Sequence, residues 1–256
     1  MDIQLSSGFS KQAFDNLSKA NGLIVKRSYK EALQHLLLPA REGIPEAQTN
    51  MGTMRFKGLG LSKDVSKALH WFRVAAKNGC RTAYYNLSLC YRSGYGVSAD
   101  IKYAASLLII AAQKGLPSAQ YQLGKFCHEG RGMERNEIKA VFWLKKSADQ
   151  GHSLAQFALG EMYFDKEFAQ DIHQDLIKAH LYTSLSEHNG HPIAAQRLES
   201  IELLMTQSQK AIARRLFNRW GKNFPQGYGY SCHNEIGVLK IDDWPVKEPE
   251  PDRPTV

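Results

Sequence analysis

The sequence predicts an all-α fold, a right-handed superhelical solenoid of antiparallel helix pairs, and three observations predict it. Gly43, Gly79, Gly115 and Gly151 recur at intervals of 36 residues, and Gly190 follows 39 later. Ala47, Ala83, Ala119, Ala155 and Ala194 repeat the same series. Between these markers the apolar residues return at helical spacing, three and four apart. Self-similarity of this period means one supersecondary unit, copied and stacked so that neighbours share a continuous core. Most recurring residues are then structural, and the repeat says more about how the protein binds than about what it binds.

The unit from Pro45 to Gly79 contains every part in order. Ala47, Met51 and Met54 form the stripe of a first helix, with Pro45 suited to its opening turn. Gly58 and Gly60 end it. Asp64 is placed to cap a second helix carrying Ala68, Trp71, Phe72, Ala75 and Ala76, which Gly79 closes. Later copies keep the logic: Leu87, Leu123 and Leu159 follow Met51, and Ala104, Ala140 and Ala179 follow Ala68. Gly52, Ser88, Gly124 and Gly160 let the two helices of a unit approach closely. Trp71, Leu107, Trp143 and Tyr182 are expected to be the large plug of each unit.

The rest of the chain divides around this array. Residues 1–43 read as a degenerate first repeat or cap, its second helix opening at Tyr29 and closing at Pro39–Gly43. Four repeats follow within 44–192, at about 44–79, 80–115, 116–151 and 152–190. Residues 193–221 read as capping helices, with Leu198, Ile201 and Leu204 on one and Thr206–Gln209 as a capping box for the last. Residues 222–244 suggest an irregular appendage with a short strand near Gly237–Ile241. The proline-rich stretch 245–256 suggests a disordered tail.

Composition narrows the function classes. In 256 residues, 43% are hydrophobic and 23% charged, ordinary globular usage. The N-terminus has neither a basic nor an apolar leader region, and no segment approaches the ~18 apolar residues of a membrane span, so a cytoplasmic protein is expected. Cys80, Cys90, Cys127 and Cys232 occupy different phases of the repeat and read as reduced thiols. The net charge of +8 could serve an acidic partner. Basic residues are mixed with acids everywhere except at Lys210, Arg214, Arg215, Arg219 and Lys222, where a solvated helix face is the simpler reading.

The strings Ala-Gln-Thr-Asn-Met-Gly, Ala-Tyr-Tyr-Asn-Leu-Ser, Ala-Gln-Tyr-Gln-Leu-Gly and Ala-Gln-Phe-Ala-Leu-Gly recur in successive units. In the first three a Gly-x-Gly turn follows; each unit then has an Asp or Asn and an alanine opening the second helix. This pattern resembles Sel-like repeats, a 36-residue relative of the tetratricopeptide repeat, over roughly residues 28–221. The last copy departs from it: Phe164–Phe168 replaces the Gly-x-Gly turn and the loop is three residues longer. The resemblance implies a protein-interaction scaffold of the kind that serves as a signalling adaptor, a secretion-associated regulator or a neutraliser of a toxin. A cysteine-rich branch of the family has been linked to β-lactam binding or hydrolysis, but its paired cysteines are absent here.

Residue chemistry points away from catalysis. Gly58-Leu-Gly60, Gly94-Tyr-Gly96 and Gly130-Arg-Gly132 lack the strand and the Lys-Ser/Thr of a phosphate loop and read as turns. His173, His180, His188 and His191 gather around the fourth repeat without metal-ligand spacing. Cys127 and His128 are adjacent on a helix, about 100° apart, and so cannot pair as thiolate and imidazole. No catalytic residue, cofactor or metal is assigned.

What remains is a binding face. The side of each first helix opposite its apolar stripe should line a concave groove, with one row made by Thr49, Tyr85, Tyr121 and Phe157. Its flanks are Thr53, Leu89, Lys125 and Glu161, then Phe56, Arg92, His128 and Phe164. The expected partner-binding set is therefore Tyr85, Leu89, Arg92, Tyr121, Lys125, His128, Phe157, Glu161 and Phe164. Aromatics beside cations suit a protein or peptide partner. The competing reading is that the aromatic row is inter-repeat packing. A partner protein is expected, a cognate toxin or a secretion or signalling component among the choices, with no membrane span. Neutralisation of a toxin would work by occlusion, through the groove or the Tyr228–Trp244 segment. The alternative is a nucleic-acid-associated regulator acting through the basic last helix.

Overall fold

The computed structural model of the chain describes residues 8–164, 175–221 and 237. Twelve helices form among them. They run as five pairs: α1 (Lys11–Val25) with α2 (Tyr29–Arg41), α3 (Pro45–Lys57) with α4 (Val65–Lys77), α5 (Arg81–Ser93) with α6 (Ile101–Gln113), α7 (Pro117–Glu129) with α8 (Glu137–Ala148), and α9 (Ser153–Phe164) with α10 (Leu176–His188). Then come α11 (Ala194–Leu204) and α12 (Gln207–Gly221). From α1 to α11 each helix packs on its neighbours in sequence, whereas α12 packs on α10. The result is a solenoid of helix pairs, as the period requires. The long loop of the last repeat, the expected strand beyond Gly237 and the expected tail lie outside the described residues.

Helix boundaries follow local chemistry. Asp64, Asp100, Asn136 and Asp175 each accept a hydrogen bond from the backbone N–H three residues on, at 2.8–2.9 Å. Each such cap is worth roughly 1 kcal/mol, because a first-turn N–H would otherwise go unpaired. At the other ends, Gly58, Gly94 and Gly130 adopt the left-handed conformation that stops α3, α5 and α7.

The second glycine of each turn sets the stacking. An added Cβ at Gly60, Gly96 or Gly132 would lie 2.8 Å from the Tyr29 carbonyl carbon, 2.7 Å from Val65 Cγ1 and 2.5 Å from the Ile101 oxygen, respectively. Tyr29, Val65 and Ile101 open the second helices of the preceding pairs. Each turn therefore rests on the repeat before it, and only a residue without a side chain fits.

Within a pair, the small-residue series works as expected, and of the expected plugs Leu107 and Tyr182 are buried in the core, but the residue facing the small position is one later. Gly52, Gly124 and Gly160 face Phe72, Leu144 and Thr183, so the inward series is Phe72, Leu108, Leu144 and Thr183. Trp71 and Trp143 are only half-buried. Consecutive helical residues point about 100° apart. Trp71 thus leaves its own pair and packs on the core of α1–α3.

Buried amides tie the pairs together. Gln48, Gln120 and Gln156 donate to the carbonyls of Ala40, Ala112 and Ala148 at 3.1–3.2 Å. Each also accepts, from Asn78, Gln150 and Asn189 respectively, at 2.7–3.0 Å. In the one repeat without the glutamine, Tyr84 replaces it and Lys114 replaces its amide donor. The pair is kept or lost as a unit, because a buried amide with half its partners costs more than none.

Candidate functional site

The first helices, α3, α5, α7 and α9, carry the face on which the sequence places its binding residues. The sequence placed nine residues there, and the structure separates them into two groups. Tyr85 and Leu89, expected in the open groove, are 3% and 2% exposed. Thr49 and Thr53, their counterparts on α3, are buried too. Arg92, Tyr121, Lys125, His128, Phe157, Glu161 and Phe164 remain half-exposed.

The aromatic row bridges successive repeats. Tyr121 stacks on His152 with ring centroids 5.1 Å apart, and Phe157 stacks on His191 at 4.1 Å. Thr49, in the same row, sets its hydroxyl 3.2 Å from Cys80 Sγ. Cys80, His152 and His191 are the residues just after the repeat-closing glycines. One ring face is therefore used in packing, and the groove receives the rest of the side chain. Burial holds the His152 imidazole neutral, with its pKa pushed down to about 4. His191 is shifted the same way by the same cause.

Three clefts run along this face. Between α5 and α7 a cleft of ≈ 380 Å³ is lined by Arg92, Gln122, Lys125, Glu129 and Arg131. Between α7 and α9 a second, ≈ 210 Å³, is lined by Tyr121, Lys125, His128, Phe157, Glu161 and their apolar neighbours. The third, ≈ 210 Å³, lies between Phe157 and α11 and includes Ile193, Gln196 and Arg197. Lys125 borders the first two and Phe157 the last two, so the clefts form one continuous line.

Charge is unevenly distributed along it. In the first cleft Glu129 pairs with Arg131 at 2.5 Å and with Lys125 at 4.0 Å. One carboxylate thus serves two cations. Arg92 makes no ion pair among the described residues, and burial pushes its guanidinium pKa down. Glu129 attracts it from across the cleft without touching it, and a partly buried cation with no direct ion pair can take an incoming carboxylate.

Two anchors were not foreseen. Arg197 grips Glu161 with both Nε and Nη2, at 2.7 and 2.8 Å, and lies 5.3 Å above the Phe164 ring. Glu137 is buried at the start of α8, accepts from His128 Nδ1 at 2.7 Å and from Arg135 Nε at 2.8 Å, and is ion-paired with Arg135 Nη2 at 2.7 Å. The sequence held a signal for Glu137: its counterparts are Val65, Ile101 and Leu176, so a carboxylate breaks an apolar series. No comparable pattern pointed to Arg197.

Cys90 and Cys127 are poorly placed for nucleophilic chemistry. Burial pushes the Cys90 thiol up to about 12, and raises that of Cys127. Low thiolate content makes both poor nucleophiles. His180 pairs with Glu202 at 3.0 Å, and His188 packs edge-on to Phe217. Among the described residues no group of three or more His, Cys, Asp or Glu side chains converges to hold a metal ion. No described helix is long and apolar enough to cross a membrane. His173 and Cys232 lie outside the described residues.

Comparison with known proteins adds to this geometry. The Sel1 repeat family profile matches residues 16–43, 45–80, 82–116, 117–152 and 153–185. Among solved structures, the chain is similar to a Sel1 repeat protein from Oxalobacter formigenes, with 25% identity and a TM-score of 0.64 over 81% of this chain and 85% of that one. It is also similar to c5321, described as a protective antigen of uropathogenic Escherichia coli with an SLR fold, at 23% identity and TM-score 0.54 over 84% and 55% of the two chains. Immunity protein Pa5087 from Pseudomonas aeruginosa matches at 18% identity and TM-score 0.56 over 89% and 96%. A comparison with curated proteins found no match.

Proposed function

The chain belongs to the Sel1 repeat family, whose repeats mediate protein–protein interaction, and from that premise we propose that it is a non-catalytic scaffold that holds a partner protein in its inner groove. The partner segment lies across α5, α7 and α9, and presents carboxylates to Arg92 and Lys125 and apolar side chains to Tyr121 and Phe157. The observation that carries this reading is Arg92, a desolvated guanidinium without an ion pair among the described residues, lining the largest of three connected clefts. Polar rims around aromatic pockets are what protein interfaces use.

Neutralisation of a toxin is one use of such a groove: a partner bound along it has the bound surface occluded. The likeness to immunity protein Pa5087 bears on fold alone, so this role rests on the groove's capacity to cover a surface. The nucleic-acid alternative has less support. Within the basic cluster, Lys210 and Arg214 both pair with Glu202, at 3.9 and 3.5 Å, which leaves a smaller free charge than the sequence suggests.

The test is affinity capture of the tagged protein from its native cells in ~0.3 M salt, which screens casual contacts of a basic surface. Captured protein is then titrated against the purified chain. A one-to-one partner whose affinity falls at least tenfold with Arg92→Glu and Lys125→Glu together supports the groove. A partner indifferent to that double change, or retained nucleic acid without protein, refutes it.

A further inference from the structure

Gly237 is 16 residues beyond the end of α12 in sequence, yet it sits against the first full repeat. Its carbonyl oxygen accepts two hydrogen bonds, from Thr53 Oγ1 on α3 at 2.6 Å and from Asn86 Nδ2 on α5 at 2.7 Å. Both donors belong to the inner face. Asn50, one turn before Thr53, is 1% exposed and gives its Nδ2 to Asn21 at 2.9 Å. Its Oδ1 is buried without a hydrogen-bond partner among the described residues and lies 2.5 Å from where a Cβ on residue 237 would stand.

We propose that Asn50, Thr53 and Asn86 form a site that reads a peptide backbone, and that its ligand is the C-terminal segment of this same chain, held at Gly237. Two donors on adjacent helices converge on one carbonyl, which a single helix face cannot arrange. The buried Oδ1 of Asn50 offers an acceptor beside them for a peptide N–H. Gly237 has φ +86° and no room for a side chain, with Asn50 Oδ1 and Thr49 Cγ2 against it. The site therefore selects glycine on both conformational and steric grounds.

The exposure along the face agrees with an occupant at this end. Thr49 and Thr53 are buried where Gly237 lies, whereas Tyr121, Lys125, Phe157 and Glu161 are half-open farther along. The groove of the proposed function thus has one end filled from within. A partner that reaches α3 must displace the segment, and one confined to α7 and α9 need not.

The contact can be tested without a partner, so its failure is distinct from failure of the scaffold reading. In the full chain, tryptic cleavage after Lys240, three residues past Gly237, is timed for wild type, Gly237→Val and Thr53→Val. Gly237→Val changes the segment and leaves the helices intact; Thr53→Val removes one donor with little change of volume. Both should speed cleavage about tenfold or more, the factor carried by about 1.4 kcal/mol, with unchanged helical circular dichroism. Equal rates in all three proteins overturn the proposal. So does acceleration in Thr53→Val alone, which would report loosened helices and not a released segment.

Discussion

His152 should make the solenoid lose stability in mild acid. It opens the fourth repeat at the foot of α9, where its Nδ1 accepts from the Ala155 N–H at 3.4 Å and its ring supports Tyr121. Burial depresses its pKa from 6.5 to about 4, so the folded protein favours the neutral imidazole while the unfolded chain takes up a proton near the ordinary value. A depressed pKa contributes stability that is complete above about 6.5 and is lost as pH falls toward about 4. At 1.36 kcal/mol per pKa unit the whole effect is roughly 3 kcal/mol, of which about 2 is gone by pH 5. A charge there would also face the positive end of the α9 dipole. The perturbation is His152→Asn, which keeps a side-chain acceptor and cannot titrate. Urea unfolding followed by circular dichroism at pH 7 and pH 5 measures it. Wild type should lose about 2 kcal/mol more than the variant between the two values, with His191 contributing equally to both proteins. Parallel losses would refute the assignment of the acid sensitivity to this imidazole.

Two further outcomes test how the repeats are held together. Gly130→Ala meets open-enough space, 3.4 Å from Arg135 Cβ, and should cost only about 1 kcal/mol for its positive φ, whereas Gly132→Ala drives a Cβ to 2.5 Å from the Ile101 carbonyl oxygen and should cost a further ~1–3 kcal/mol. Equal urea midpoints for the two variants would show that the turn does not set the stacking. Gln156→Leu leaves the Ala148 carbonyl with only its bond from the Gly151 N–H, orphans the Asn189 amide and should cost about 1–3 kcal/mol; adding Asn189→Leu should recover part of that loss, and a double variant less stable than the single would count against the paired-amide account.

The parts of the fold that were legible in the sequence are those encoded within a few residues. Asp64, Asp100, Asn136 and Asp175 cap helices because each sits three residues before an N–H it can reach, and the left-handed glycines end helices for equally local reasons. The plug was misplaced by one residue. Trp71 and Phe72 are both large and apolar, and a phase error of 100° separates facing one's own pair from facing the preceding one. Periodicity shows that a helix has an inner face but leaves the choice between adjacent positions to the crossing geometry.

The candidate site was less legible. Tyr85 and Tyr121 occupy the same place in consecutive repeats, yet one is buried and the other half-open. Their repeats differ nearby, with Tyr84 and Lys114 where the next has Gln120 and Gln150, and Gly237, about 150 residues on along the chain, lies against Asn86, the residue after Tyr85. The Arg197 clamp on Glu161 similarly joins α11 to α9 across 36 residues. Glu137 alone announced itself, as a carboxylate in an apolar series.

The sequence by itself determined the repeat, its helix pairs, their caps and turns, and the family, because each is written in short-range spacing copied several times. Only the tertiary structure decided which residues of the first helices are open, which cation lacks a direct ion pair and where Gly237 touches. Those depend on contacts between residues far apart in the chain, and burial, which sets both exposure and the pKa values of His152 and Arg92, belongs to the packed solid and to no single repeat.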